Sequence, residues 1–190
     1  MFYEELKGLV EALLFVSGDP VSVGQLVDIL KIDRTNLEEI IASLQDEMES
    51  KTSGLTIIKV AGGYQLVTKP ELAPYMEKMT QVMDKKLSAP ALETLSIIAF
   101  KQPITKQEIE DVRGVHVDRV LAKLIDRNLI VEVGRKPVIG RPILYGTTDE
   151  FLKCFGLDGL QDLPTLPETG SVDDLPKIEQ LSLDTGKNLE

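Results

Sequence analysis

The sequence predicts a mainly α protein with small β-hairpins, an α+β chain that repeats one unit twice and then continues into an acidic tail. Three observations carry this. Amphipathic helical runs recur in the same order in both halves, and each set ends in two short β-rich segments separated by glycines. Beyond Gly156 there is no aromatic residue, and prolines recur at 164, 167 and 176.

In the first half, Leu6, Leu9, Val10, Leu13 and Leu14 recur at i, i+3, i+4, i+7 and i+8, one apolar face of a helix. The run stops at Ser17-Gly18-Asp19-Pro20. Ser22 and Gln25 then form an S-x-x-Q capping box, in which hydroxyl and amide satisfy orphan backbone donors of a helix carrying Leu26, Val27, Ile29 and Leu30. Thr35 with Glu38 reads as a second box, opening a helix marked by Leu37, Ile40, Ile41, Leu44 and Met48. Leu55 to Val60 and Tyr64 to Thr68, around Ala61-Gly62-Gly63, predict a hairpin, because glycine tolerates the positive φ of tight turns. Residues 70–87 place Leu72, Tyr75, Met76, Met79 and Met83 at near-helical spacing and predict a connecting helix, with the methionines filling core.

The second half repeats the order. Leu92, Leu95, Ile98 and Ala99 lie on a helix that ends at Lys101-Gln102-Pro103, and Thr105 with Glu108 forms a box ahead of Ile109 and Val112. Gly114 breaks the chain. Val117, Val120, Leu121, Leu124 and Ile125 repeat the helical stripe, and strands Leu129 to Val133 and Ile143 to Thr147 flank a loop from Gly134 to Pro142. Three short helices followed by a hairpin describe the winged-helix form of the helix-turn-helix. The expected organisation is a winged-helix domain over 1–69, the connecting helix over 70–87, a second winged-helix domain over 88–155 and a disordered acidic tail over 156–190. That tail carries too little apolar surface to offset the entropy of ordering it.

Composition narrows the chemistry. Of the 190 residues 43% are hydrophobic, and the net charge is −10. A single cysteine, Cys154, and a single histidine, His116, are too few for a His/Cys metal site and rule out an internal disulfide. The phosphate-binding glycine loops and the G-x-S-x-G elbow are missing from the sequence, so no enzyme, cofactor or small-molecule substrate is expected. Cys154, beside Phe151, Leu152 and Phe155, reads as a small buried hydrophobe, and His116 as a residue capping or packing at a helix start. The longest apolar runs fall short of a bilayer, and the first residues lack a basic stretch, so a cytoplasmic protein is expected.

A winged helix invites a DNA-binding reading, and charge argues against it in the first copy. Between Thr35 and Ser50 the third helix carries Glu38, Glu39, Asp46, Glu47 and Glu49 and no lysine or arginine. Phosphates repel such a face, since cationic side chains that displace counterions supply most of a protein's affinity for nucleic acid. In the second copy Arg119, Lys123 and Arg127 fall at i, i+4 and i+8, Arg113 precedes them, and Arg135, Lys136 and Arg141 lie in the hairpin. Arg119, Lys123, Arg135, Lys136 and Arg141 are therefore candidates for a secondary DNA contact, although Asp118 and Asp126 flank the stripe as on an ordinary solvated face. A winged-helix transcriptional regulator is the competing reading.

From Ala89 onward the likeness goes beyond fold. The run A-L-E-T-L-S-I-I-A-F-K-Q-P-I-T ending at Thr105, the Arg113-Gly114-Val115 turn and Asp118-Arg119-Val120-Leu121 lead into Glu132-Val133-Gly134-Arg135-Lys136. Gly140-Arg141-Pro142, Leu144-Tyr145-Gly146-Thr147-Thr148, Phe155-Gly156-Leu157 and Asp162-Leu163-Pro164 follow. With Glu11-Ala12-Leu13-Leu14-Phe15 and Ser17-Gly18-Asp19-Pro20, this closely resembles the bacterial ScpB family of segregation and condensation proteins, over residues 4–164. The resemblance implies a non-enzymatic, nucleoid-associated subunit. It would be a homodimer through its first winged helix, binding the kleisin ScpA and through it the SMC ATPase, and meeting DNA mainly indirectly. Leu9, Leu13 and Phe15 are the candidate dimer residues, because Phe15 and Val16 widen the first helix's apolar face beyond what one small core needs. Ile143, Leu144 and Tyr145 on the last strand, with the Gly134 to Pro142 loop, are the candidate kleisin contacts, where an edge could offer unpaired backbone groups.

Overall fold

The computed structural model describes residues 3–50, 52–80 and 87–165. The chain divides into two compact units, residues 1–83 and 84–190. Both are α+β, with helices packed on a small antiparallel sheet.

The first unit runs α1 (Tyr3–Ser17), β1 (Val21–Ser22), α2 (Val23–Leu30), α3 (Arg34–Met48), β2 (Leu55–Val60), β3 (Gly63–Thr68), a 3-10 turn (Pro70–Leu72) and α4 (Ala73–Thr80). Leu6, Val10 and Leu14 of α1, Leu26 of α2, and Leu37, Ile40, Ile41 and Leu44 of α3 meet Ile57 and Tyr64 of the sheet in one core. Ala61 and Gly62 take φ of 50° and 72°, the left-handed pair that a two-residue hairpin needs. The capping box forms as expected, with the Gln25 amide donating to the Ser22 hydroxyl at 3.2 Å and the Ser22 amide donating to Gln25 Oε1 at 3.1 Å.

The second unit repeats the order: α5 (Ala89–Lys101), β4 (Ile104–Thr105), α6 (Lys106–Arg113), α7 (Asp118–Asp126), β5 (Ile130–Arg135), β6 (Ile143–Thr147) and then α8 (Asp149–Phe155). Its box also forms, with the Thr105 amide donating to Glu108 Oε2 at 2.9 Å and the Glu108 amide to the Thr105 hydroxyl at 3.3 Å. Gly114 ends α6 in the left-handed conformation at φ 68°. Leu95, Ile98, Ile109, Leu124 and Phe151 are fully buried together. On α5 burial extends all round, and Thr94 and Ser96 satisfy their buried hydroxyls by donating to the carbonyls of Pro90 and Leu92 at 2.9 and 2.8 Å.

Several expectations need correction. The second cap is Asp33, whose carboxylate accepts from the Asn36 amide at 2.9 Å; Thr35 lies inside α3, and Glu38 pairs with Arg34 at 2.8 Å. A carboxylate two residues earlier serves both as cap and as countercharge to the helix N-terminus. Each sheet has three strands, not two, because β1 and β4 pair with the second hairpin strand in the orders β1-β3-β2 and β4-β6-β5. Strands of two residues are too short to show a period of two. The region after Gly156 is ordered further than expected: Leu157 is buried, Leu163 packs on the same core, and the Asp162 carboxylate accepts from the amides of Asp158 and Gly159. Beyond Thr165 the expected tail lies outside the described residues. On α4, Tyr75 and Met79 are exposed rather than core-filling, while Met83 lies outside the described residues. Ile125 and Ile29 also face solvent, since short helices bury a narrower stripe than the pattern suggests.

β1 approaches β3 so closely that a Cβ added at Gly63 would stand 2.6 Å from the Val21 carbonyl oxygen. Both neighbours are backbone, so relief requires moving a strand. Gly63→Ala is expected to lower stability by about 1–3 kcal/mol, read as a lower urea midpoint at unchanged m.

Candidate functional site

The candidate sites of this chain are surfaces, and burial decides which side chains remain available on them. On α1 the Lys7 ammonium reaches Glu47 of α3 at 2.5 Å and Glu4 at 3.3 Å and lies over the Tyr3 ring, pinning one side of the helix. Leu13 is half-buried against the core. Leu9, Phe15 and Val16 are 41%, 71% and 82% exposed. Residues seven apart lie nearly in line on a helix, so Leu9 with Val16 and Gly8 with Phe15 form two adjacent rows. A Cβ at Gly8 would meet nothing within 4 Å. The result is an apolar helix face with no cover among the described residues.

The β5-β6 hairpin is placed differently from expectation. β6 is the central strand: Leu144 and Tyr145 pair with Thr105 and Ile104 on one side, and with β5 on the other. Tyr145 is buried, and Ile143 and Leu144 are half-buried. These three residues therefore offer no open strand edge, because the short β4 that follows α5 already occupies it. β4 and β5 are the two edge strands of this sheet, and on β5 Val131 and Val133 are exposed. A bulge at Val133 interrupts the pairing with β6, which resumes at Gly134 opposite Leu144 and Arg135 opposite Ile143. Across the hairpin loop, Val138 is half exposed and Ile139 fully exposed.

Two of the cations are already engaged inside the unit, Arg113 and Lys136. Arg113, which precedes the stripe in sequence, is largely buried and donates to the Pro90 carbonyl at 2.7 Å and the Thr94 hydroxyl at 2.8 Å, with Glu93 at 3.0 Å. It fastens α6 to α5 and is withdrawn from any ligand. Lys136 pairs with Glu108 at 2.6 Å, and Arg135 donates to the Arg141 carbonyl at 3.2 Å. Arg119 and Lys123 of α7, with Arg135 and Arg141, are exposed.

At the α6-α7 turn, Glu110 Oε1 accepts from the Val117 amide at 3.0 Å and lies 3.2 Å from His116 Nδ1. Glu110, His116 and Asp118 bring ligand-type atoms within 4.8 Å of one another. Lys106 pairs with both carboxylates and already supplies the positive charge there. Glu110 is held below the usual carboxylate range, first by the Val117 amide. His116 is a solvent-facing partner of Glu110, so its expected capping falls to that carboxylate. Cys154 is exposed on α8, not buried as its apolar neighbours in sequence suggested, because α8 turns Phe151 inward instead. Partial desolvation and then Glu150 push its thiol pKa up, away from a reactive thiolate.

A family model described as "Segregation and condensation complex subunit ScpB" matches residues 8–166. Segregation and condensation protein B of Moorella thermoacetica is 48% identical over 170 residues, covering 90% of this chain and 87% of its own length. The protein of the same name from Bacillus subtilis is 45% identical over 176 residues, covering 92% and 89%. Among solved structures, ScpB from Mycobacterium tuberculosis aligns at 34% identity over 83% of this chain and 98% of its own, with a TM-score of 0.41, too low for an inference from its geometry.

Glu108 joins the Thr105 cap to the start of the hairpin loop, and the Lys136 ammonium, followed by the Thr105 amide and hydroxyl, holds its carboxyl at about 2 instead of the ordinary 4.5. A depressed folded pKa stabilises the protein above the unfolded value, and that contribution is lost as pH falls through the folded one. Stability is expected to decline from about pH 4.5 toward 2 in part through this group. Glu108→Gln should flatten that part of the profile in urea titrations repeated across the range.

Proposed function

This chain belongs to the ScpB family of segregation and condensation complex subunits, and on that footing we propose that it is a non-catalytic, chromosome-associated subunit that pairs with a second copy of itself and binds the kleisin ScpA. The repeated helix, strand, helix, helix, hairpin order of each unit is read as a winged helix adapted to holding protein. Through the kleisin it would join the SMC ATPase and support chromosome condensation and segregation. No described helix is long and apolar enough to cross a membrane.

The observation that carries the pairing is the uncovered face of α1. Leu9, Phe15 and Val16 stand exposed on a helix whose other side is already committed to the core and to Glu47. Burying such rows against a copy of themselves removes apolar area from water, at roughly 25 cal/mol per Å². Kleisin docking is assigned to the hairpin of the second unit, where exposed Val131, Val133, Val138 and Ile139 adjoin half-buried Ile143 and Leu144. An extended segment could add there as a further strand.

The regulator reading predicts strong duplex binding, and the third helix of the first unit opposes it, since Glu38, Glu39, Asp46 and Glu49 are exposed or half-buried along it. Exposed Arg119 and Lys123 support at most an accessory phosphate contact.

Light scattering after size exclusion should give the mass of a dimer for the full chain and of a monomer for Phe15→Glu/Val16→Glu, with helical content unchanged because neither side chain is in the core. A monomeric parent chain would refute the pairing. A cognate ScpA fragment should co-elute with the parent, and replacing Val131 and Val133 by Asp should weaken that complex on the order of tenfold or more.

A further inference from the structure

The two rows on the uncovered face of α1 differ in a way that decides how a second copy lies against it. Gly8 and Phe15 form one row, Leu9 and Val16 the other, and exposed Ala12 stands between them near the midpoint of both. The first row joins the smallest side chain to the largest; the second joins two of middling size. In a two-fold dimer every contact occurs twice, residue i of one copy on residue j of the other and j on i.

Parallel helices set each row against the other row at the same height, so Phe15 meets Val16 and Gly8 meets Leu9. Bulk then gathers at one end, and a gap is left beside Gly8. Antiparallel helices set each row against itself reversed. Phe15 of one copy then lies over Gly8 of the other, Val16 lies against Leu9, and Ala12 meets Ala12, so the contact is evenly thick and packs closely along its length. A Cβ at Gly8 would meet nothing within 4 Å of its own chain, so the place above it is open to receive a ring.

Charge points the same way. Glu4 and Glu5 stand in the first turn of α1, and its last turn holds no basic residue. Parallel helices would gather those two carboxylates from both copies at one end. Antiparallel helices set them beside the partner's Ser17-Gly18-Asp19 turn, where Asp19 is the one carboxylate, and align the helix dipoles head to tail.

We propose that α1 pairs with α1 of a second copy in antiparallel sense about a two-fold axis at Ala12, each Phe15 ring seated over Gly8 of the partner subunit. The arrangement rests on the pairing proposed above and adds its direction and the residues that specify it.

Two variants and their mixture test it. Gly8→Phe fills the seat and sets ring against ring, while Phe15→Ala empties it. Both positions are exposed in the folded unit, and both new residues favour helix at least as well as those they replace, so each variant should keep the parent's circular dichroism. Each alone should weaken self-association by about tenfold or more, read by light scattering over a dilution series. Mixed in equal amounts they should form a heterodimer about as tight as the parent, seen by native mass spectrometry. The added ring of one copy enters the place vacated by the other, and the second contact of the pair is the original one. Parallel helices give no such rescue, because residues 8 and 15 then lie at opposite ends. Nitroxide labels outside the contact, in a Cys154→Ser background, read the direction independently. At about 1.5 Å per residue, labels at Glu4 should stand about 10 Å or more further apart than labels at Glu11, which lies beside the axis. A dimeric parent whose variants associate as it does, whose mixture shows no rescue, or whose two label pairs are equally spaced overturns the arrangement and leaves the pairing. A monomeric parent overturns the pairing and the arrangement with it.

Discussion

Each unit depends on one residue that belongs to two elements at once. Ser22 pairs with Gly63 in the first sheet and caps α2; Thr105 pairs with Leu144 in the second sheet and caps α6. Their hydroxyls satisfy backbone donors that a helix start leaves orphaned, and their backbones close the third strand. Helix and sheet are thereby fastened at a single point near the turn end of each hairpin, since Gly63 directly follows the Ala61-Gly62 turn and Leu144 lies one residue from the end of the second hairpin's pairing. In the second unit the Glu108 carboxylate extends the joint to Lys136 at the start of the hairpin loop, so the cap, the sheet and the loop share one set of contacts.

That economy decides which surfaces are left. Lys7, Arg113 and Lys136, which look like surface charges in sequence, are used to hold α1 to α3, α6 to α5 and the hairpin to α6. Among the described residues, the exposed apolar side chains include a face of α1 in one unit and Val131, Val133, Val138 and Ile139 of the hairpin in the other. Subunits of an assembly commonly expose such patches, whereas monomeric proteins keep them small. The exposed carboxylates of α3 and the internal pairing of Arg113 and Lys136 leave less cationic surface for phosphate than the sequence suggests.

Much of this was legible in the residues. Periodicity placed the helices, glycines placed the turn at Ala61-Gly62, and two of the three expected capping boxes, Ser22 with Gln25 and Thr105 with Glu108, formed where spacing put them. Exposure of Phe15 followed from its position off the leucine stripe. Thr35 yielded to Asp33 through a local contact, the Asn36 amide, which the residue pattern left open to either side chain. Contacts distant in sequence settled the others: β4 made Leu144 and Tyr145 part of the sheet's centre, and the core drew Phe151 inward and left Cys154 outside.

By itself, the sequence determined the α+β class, the repetition of one element order and the family, because local periods, caps and motif residues act over a few positions. Tertiary structure alone decided which strand edge stays open, which cations are spent on internal contacts and where the ordered chain continues past Gly156. Those outcomes hang on two-residue strands and on pairings between residues far apart in the chain, such as Gln102 with Thr147, 45 positions away, and no local pattern records them.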